Sequence, residues 1–167
     1  MATEKNIILT SQQIQQKTKR IAYQILESNS TEKEIVLAGI TGNGFTFAKE
    51  IEKHLKEISD LTIIMCEVII DKKNHLLPIK TSIPASAYKN KSLVLVDDVL
   101  NSGATLIYGI KHFLDVPLKK FKTAVLVNRN HKKYPVKADF KGISLSTTLQ
   151  EHVVIKFNNK EAIAYLM

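Results

Sequence analysis

The chain has 167 residues, 44% of them hydrophobic and 24% charged, which suits one domain with a full apolar core. No apolar run approaches the roughly 20 residues needed to span a bilayer, and residues 1–10 lack the basic start and long apolar stretch of a secretion signal. Cys66 is the only cysteine, which excludes an intrachain disulfide framework and a cysteine metal site; a cytoplasmic protein with no membrane partner is expected.

Net charge is +8, unevenly spread. Residues 111–141 hold nine Lys/Arg and two acids, a net +7. Such clustering suits RNA or another anionic partner. A lysine-rich solvated surface is the plainer account, because Arg20 and Arg129 are the only residues with arginine's bidentate fork.

In chain order, Thr10 followed by Gln13 reads as a capping box. Ile14, Ile21, Ala22, Ile25 and Leu26 then recur at helical spacing as far as Ser28-Asn29-Ser30. Residues 35–40 (IVLAGI) form a short continuous apolar run, the pattern of a buried strand. Thr41-Gly42-Asn43-Gly44 is a tight turn, and Phe47, Ala48, Ile51, Leu55 and Ile58 mark the inner face of a second helix. Residues 61–70 are the next strand. Residues 71–91 contain Pro78, Pro84 and no sustained period, and read as a long irregular, functional segment. A strand over 93–96, a loop, a helix over about 104–115 and a strand over 121–127 follow. Residues 128–141 read as a polar, basic loop. Residues 153–157 and 162–165 are late strands joined by a turn at Asn158-Asn159. The fold class expected is α/β, a mainly parallel sheet flanked by helices, with ligands beyond the carboxyl ends of the strands.

The chemistry concentrates in residues 92–105, SLVLVDDVLNSGAT. Two adjacent carboxylates, Asp97 and Asp98, end an apolar run. Successive strand residues face opposite ways, so the two need not share a task. Exposed carboxylates suit magnesium, directly or through water; a solvated strand end explains the pair alone. Asn101, Ser102, Gly103, Ala104 and Thr105 then offer uncovered amides, two hydroxyls and a helix N-terminus, a nest for a phosphate monoester. An N-capped helix without a ligand is the plain alternative. Both features at the end of one buried strand are more specific than either alone. Gly42-Asn43-Gly44 fails as a dinucleotide fingerprint, since Phe47 stands at the third glycine, and it lacks the length and lysine of a Walker loop. His54, His75, His112, His131 and His152 show no metal-ligand spacing, and Cys66 reads as a small buried residue.

Residues 94–105, VLVDDVLNSGAT, resemble the phosphoribosyl diphosphate (PRPP) signature of type I phosphoribosyltransferases. Residues 8–29 (ILTSQQIQQKTKRIAYQILESN), 35–49 (IVLAGITGNGFTFAK) and 123–142 (TAVLVNRNHKKYPVKADFKG) are similar to the pyrimidine-operon attenuation regulator/uracil phosphoribosyltransferase group. The resemblance implies a single domain over 1–167, with a lid at 71–91 and a small hood mainly from 128–167. It implies transfer of ribose 5-phosphate from PRPP to a nucleobase such as uracil, releasing pyrophosphate. Asp97 and Asp98 would be the catalytic pair that holds the ribose hydroxyls, with Mg2+ as cofactor. Asn101, Ser102, Gly103, Ala104 and Thr105 would cradle the 5′-phosphate. Thr41, Gly42, Asn43 and Gly44 would face the pyrophosphate, and Asn128, Arg129 and Phe140 the base. A homodimer or higher homo-oligomer is carried over in the same way.

The chain departs from that pattern at Asn43, Asn101, Ala104, Asn128 and Asn130, where the group favours basic, acidic, aromatic or glycine residues. Fewer fixed cations weaken pyrophosphate binding, although Lys72, Lys73, His75 and Lys80 offer cations from the lid. Two rivals follow: a regulator that senses PRPP or nucleotides and binds RNA, and a different phosphate binder such as a phosphatase. Phosphatases commonly space their acids as D-x-D, whereas Asp97 and Asp98 are adjacent.

Overall fold

The computed structural model describes residues 6–146, 148, 151–158 and 161–167. Strand β1 (Asn6–Leu9) leads into helix α1 (Ser11–Ser28). The capping box forms as read: Thr10 Oγ1 accepts from the Gln13 N–H at 3.2 Å, and the Thr10 N–H donates to Gln13 Oε1 at 2.9 Å. Ile14, Ile21, Ala22 and Ile25 make the buried face of α1. Past its end, Asn29 Nδ2 donates to the Ile25 carbonyl at 2.8 Å, and Asn29 Oδ1 accepts from Ser92 Oγ at 2.6 Å. That buried bridge pins the helix end to the start of the central strand.

Strand β2 (Glu34–Ile40), helix α2 (Asn43–Ile58) and strand β3 (Thr62–Ile69) form the first parallel crossover. Strand β5 (Ser92–Leu100), helix α4 (Ala104–Phe113) and strand β6 (Lys120–Arg129) form the second. Between them lie a two-residue strand β4 (Lys80–Thr81) and one helical turn, α3 (Ala85–Tyr88). Strand β7 (Phe140–Leu145) completes a six-stranded sheet in the order β4-β3-β2-β5-β6-β7, parallel except for β4. Strands β8 (Val153–Phe157) and β9 (Ala162–Leu166) pair with β1 in a separate antiparallel sheet, β1-β9-β8.

Alternation along the strands divides the core in two. Ile35, Leu37, Val94 and Val96 pack with α1, α2 and the small sheet, whereas Val36, Ala38, Leu93 and Leu95 pack with α3 and α4. The first crossover runs outward from β2 to β3, and the second runs the other way, from β5 to β6. The direction in which strands are added to the sheet therefore reverses between β2 and β5. An open α/β sheet leaves its crevice at that point, beyond the carboxyl ends of the strands.

Several expectations need correction. Strand β5 does not stop at Val96; it carries Asp97 and Asp98 in register with β6 and ends at Leu100. Asn128 and Arg129 are the last residues of β6 and not the start of a loop. Residues 140–145, read as loop and unassigned chain, form β7, and β1 was not foreseen. The irregular 71–91 segment contains β4 and α3. In the turn expected at Asn158-Asn159, Asn159 lies outside the described residues; Asn158 and Glu161 exchange backbone hydrogen bonds across it.

Candidate active site

At the carboxyl end of β5 lies a cavity of about 200 Å³ lined by Asp97, Asp98, every residue of 101–105, Lys72 and Val153, with no residue of β2 or of 41–44 on its wall. The contiguous stretch singled out from the sequence is thus brought together as one wall. β5 delivers the acids, a three-residue loop turns the chain, and α4 begins at Ala104.

Asp97 is only 4% exposed. Its Oδ1 accepts from the Asp98 N–H at 2.9 Å, and Lys72 Nζ lies 3.8 Å from the same oxygen. Burial, reinforced by the neighbouring Asp98 charge, pushes the Asp97 carboxyl up to about 8; Lys72 opposes the shift. Asp98 is more exposed. No third carboxylate, histidine or cysteine joins them in a metal-holding group among the described residues. Two adjacent carboxyl groups, one of them 3.8 Å from Lys72, fit a magnesium ion that takes one or two protein oxygens and fills its shell from water and substrate.

Two helix N-termini converge here, and neither Ncap residue supplies a side-chain hydrogen bond. Gly42 caps α2 at φ +84° and Gly103 caps α4 at φ +88°. Each backbone angle is one that glycine adopts without strain. A Cβ on Gly103 would stand 2.5 Å from Val136 Cγ1, because the 133–136 segment folds over the loop; the Lys133 and Tyr134 N–H groups both donate to the Ser102 carbonyl. Gly44, in the first turn of α2, sits against the acid pair: a Cβ there would be 2.8 Å from Asp97 Oδ1.

The remaining predicted residues are placed less uniformly. Thr41 Oγ1 donates to Glu67 Oε1 at 2.9 Å, and Asn43 Nδ2 donates to the Ile155 carbonyl of β8 at 2.8 Å. Both side chains are therefore engaged outside the cavity, which no residue of 41–44 lines. Buried Arg129 ties three segments together. Its Nη1 donates to Asn101 Oδ1 at 3.1 Å, and its Nη2 donates to the carbonyls of Thr148 and Glu151 at 3.2 and 2.7 Å. Asn128 Nδ2 reaches Ser144 Oγ at 3.3 Å, and its buried Oδ1 has no hydrogen-bond partner among the described residues. Phe140 is not brought to this site. It pairs with Ala124, four positions before the Asn128–Ser144 pair, and packs on the α1/α2 core. At about 3.3 Å per residue that puts it roughly 13 Å back along the sheet. Val153 was missed, since nothing local in a late edge strand marks it as a cavity wall.

The basic 111–141 segment does not make one patch. Lys119 and Lys120 sit at the amino end of β6, where Lys119 pairs with Glu32 at 2.7 Å and Lys120 donates to the Ser28 carbonyl. Exposed Lys132 and Lys133 lie past the strand's other end.

Residues 5–160 match the family described as the phosphoribosyl transferase domain. The Bifunctional protein PyrR of Geobacter sulfurreducens is 37% identical over 161 residues, 91% of this chain and 90% of that protein. The protein of the same name from Macrococcus caseolyticus is 32% identical over 159 residues, 91% of each. Among solved structures, a hypoxanthine-guanine phosphoribosyltransferase of Bacillus anthracis superposes with a TM-score of 0.77 at 23% identity, covering 98% of this chain and 99% of its own. A hypoxanthine phosphoribosyltransferase of Trypanosoma cruzi gives 0.78 at 16% identity, covering 95% of each. At these identities the structural likeness speaks for the fold.

Proposed function

This chain belongs to the phosphoribosyl transferase family, and from that premise we propose how its crevice divides the work of a PRPP-dependent pentosyltransferase. The enzyme transfers ribose 5-phosphate from PRPP to a nucleobase. The bond from ribose C1 to the pyrophosphate oxygen breaks, a bond from C1 to a ring nitrogen of the base forms, and the base gives up a proton. The pyrimidine uracil is the base we assign first. The observation that carries this reading is the cavity that Asp97, Asp98 and 101–105 form together at the carboxyl end of β5.

In this reading the ribose hydroxyls lie on Asp97 and Asp98, and the 5′-phosphate lies on the nest formed by Asn101, Ser102, Gly103, Ala104 and Thr105. The backbone of Thr41, Gly42, Asn43 and Gly44 faces the pyrophosphate. Asn128 offers its free amide oxygen on the base side, and Arg129 holds the hood against the nest. Asp97 and Asp98 would hold a magnesium ion, directly or through water; when bound, it offsets charge on the diphosphate. Positive charge developing at ribose C1 is stabilised by the Asp98 carboxylate, and positioning supplies the rest. Residues 71–91 serve as the lid that excludes water. No helix among the described residues is long and apolar enough to cross a membrane. From the family likeness we assign the enzyme to the cytoplasm as a homodimer or higher homo-oligomer.

The test is incubation with PRPP, magnesium and a panel of bases, following pyrophosphate release. Release dependent on uracil supports the full reading. Release with another base alone corrects the base, and no PRPP binding by a folded sample sinks it.

A second activity, RNA binding, is proposed on exposed Lys132 and Lys133 beside the cavity loop. It predicts that the logarithm of the binding constant falls linearly with the logarithm of salt concentration.

A further inference from the structure

The nest has no charge of its own. Asn101, Ser102, Gly103, Ala104 and Thr105 are all neutral, and the two carboxylates share their cavity. A phosphate dianion placed there meets Asp97 and Asp98, with Lys72 as the one basic residue on the described wall. Lys72 Nζ is placed at the acid pair, 3.8 Å from Asp97 Oδ1. One more group stands at the edge of the nest: His75 Nε2 lies 2.9 Å from Thr105 Oγ1.

His75 is held in that position by built structure. The turn that carries it is fixed by Asp71 Oδ1, which accepts from the N–H groups of Lys73 and Asn74 at 2.8 and 3.1 Å. Asn74 Oδ1 in turn accepts from the Leu76 N–H at 3.2 Å. The imidazole stacks on Tyr108 of α4, with ring centroids 5.5 Å apart and planes 15° apart. Tyr108 meets Tyr134 edge-on at 6.4 Å, and the Tyr134 N–H donates to the Ser102 carbonyl at 3.1 Å. The stack is therefore tied to the nest at both ends, through Thr105 and through Ser102.

We propose that His75 is a 5′-phosphate ligand, presented to the nest by the 71–79 turn. Two groups 2.9 Å apart can both bond one phosphate oxygen, so an anion held by Thr105 Oγ1 is within reach of the imidazole N–H. The same turn places Lys72 at the acid pair, so one segment touches both halves of the ribose 5-phosphate site. Occupancy by phosphate then favours the docked position of the turn. The proposal rests on the assignment of the nest to the 5′-phosphate.

The experiment titrates ribose 5-phosphate, which carries no pyrophosphate, into wild type, His75→Ala and His75→Gln, with thermal unfolding to verify folding. His75→Ala is expected to weaken binding about tenfold, the effect of one charge-assisted hydrogen bond. His75→Gln, which keeps a donor, retains most of the affinity. Tyr108→Leu removes the face on which the ring stacks and weakens binding less than His75→Ala does. In turnover, KM for PRPP rises in His75→Ala while kcat changes little. Unchanged binding in His75→Ala overturns the proposal alone. Tighter binding also overturns it, because His75 would then compete with the phosphate. Failure of wild type to bind either ribose 5-phosphate or PRPP overturns the reading of the nest, and this proposal with it.

Discussion

The two halves of the crevice are built differently. The wall formed by 97–105 comes from one contiguous stretch, and its hydroxyls and amides line the cavity. The other half is gathered from 41–44 and 128–129, segments far apart in the chain, whose polar side chains are engaged with other parts of the protein. Thr41 holds Glu67, Asn43 holds β8, and Arg129 holds Asn101 and the backbone of Thr148 and Glu151. One half is preorganised for a ligand, whereas the other spends its polar groups on assembling the protein. Ribose 5-phosphate recognition should therefore be sensitive to single substitutions in the first half. Substitutions in 41–44 and 128–129 should show their effects through stability.

The largest expected effect tests the preorganised half. Asp98→Asn should lower kcat/KM by at least about a hundredfold, the scale of losing one preorganised electrostatic contact, and should weaken magnesium-dependent PRPP binding without shifting the unfolding midpoint by more than a few degrees. An equal loss from substitutions in 41–44 would erase the contrast. Next comes Gly103→Ala. The positive φ and the 2.5 Å approach of Val136 force the loop or the 133–136 segment to move. PRPP affinity should fall about tenfold, and stability by about 1–3 kcal/mol, measured by urea unfolding.

A pH experiment separates Asp97 from the rest. Burial and Asp98 raise its carboxyl from 3.8 to about 8 in the folded chain. Between those values the folded state keeps a proton that the unfolded state has released. The stability this group contributes is full below about pH 4 and is lost as pH rises through about 8. The unfolding midpoint of wild type should fall more between pH 5 and pH 8.5 than that of Asp97→Asn, which has no such proton; parallel profiles would contradict the assignment. The smallest effect is expected for Asn43→Ala. It removes one hydrogen bond to β8, costs about 1 kcal/mol in urea unfolding, and leaves the backbone of the turn in place to face a diphosphate.

The same contrast explains what the sequence made legible. The capping box at Thr10, the buried strands and the run from Asp97 to Thr105 are local patterns, and local physics decides them. Strand β7 was missed because FKGISL interrupts its apolar residues with Lys141, Gly142 and Ser144, and its partner β6 decides its fate. Strand β1 has four residues and pairs only with the distant β9. The end of β5 was set too early because two carboxylates break an apolar run, while register with Val125 and Val127 carries the strand past them. Phe140 was assigned to the base by resemblance; its register with Ala124 turns it to the core. His75 was named only as one of several lid cations, and its contact with Thr105 is a tertiary fact.

The central claim is that residues 97–105 hold the ribose 5-phosphate of PRPP. Calorimetric titration of PRPP with magnesium into wild type, Asp97→Asn and Asp98→Asn tests it most directly. Saturable binding by wild type, weakened at least about tenfold in both folded variants, is the predicted result. Equal binding by all three proteins would contradict it.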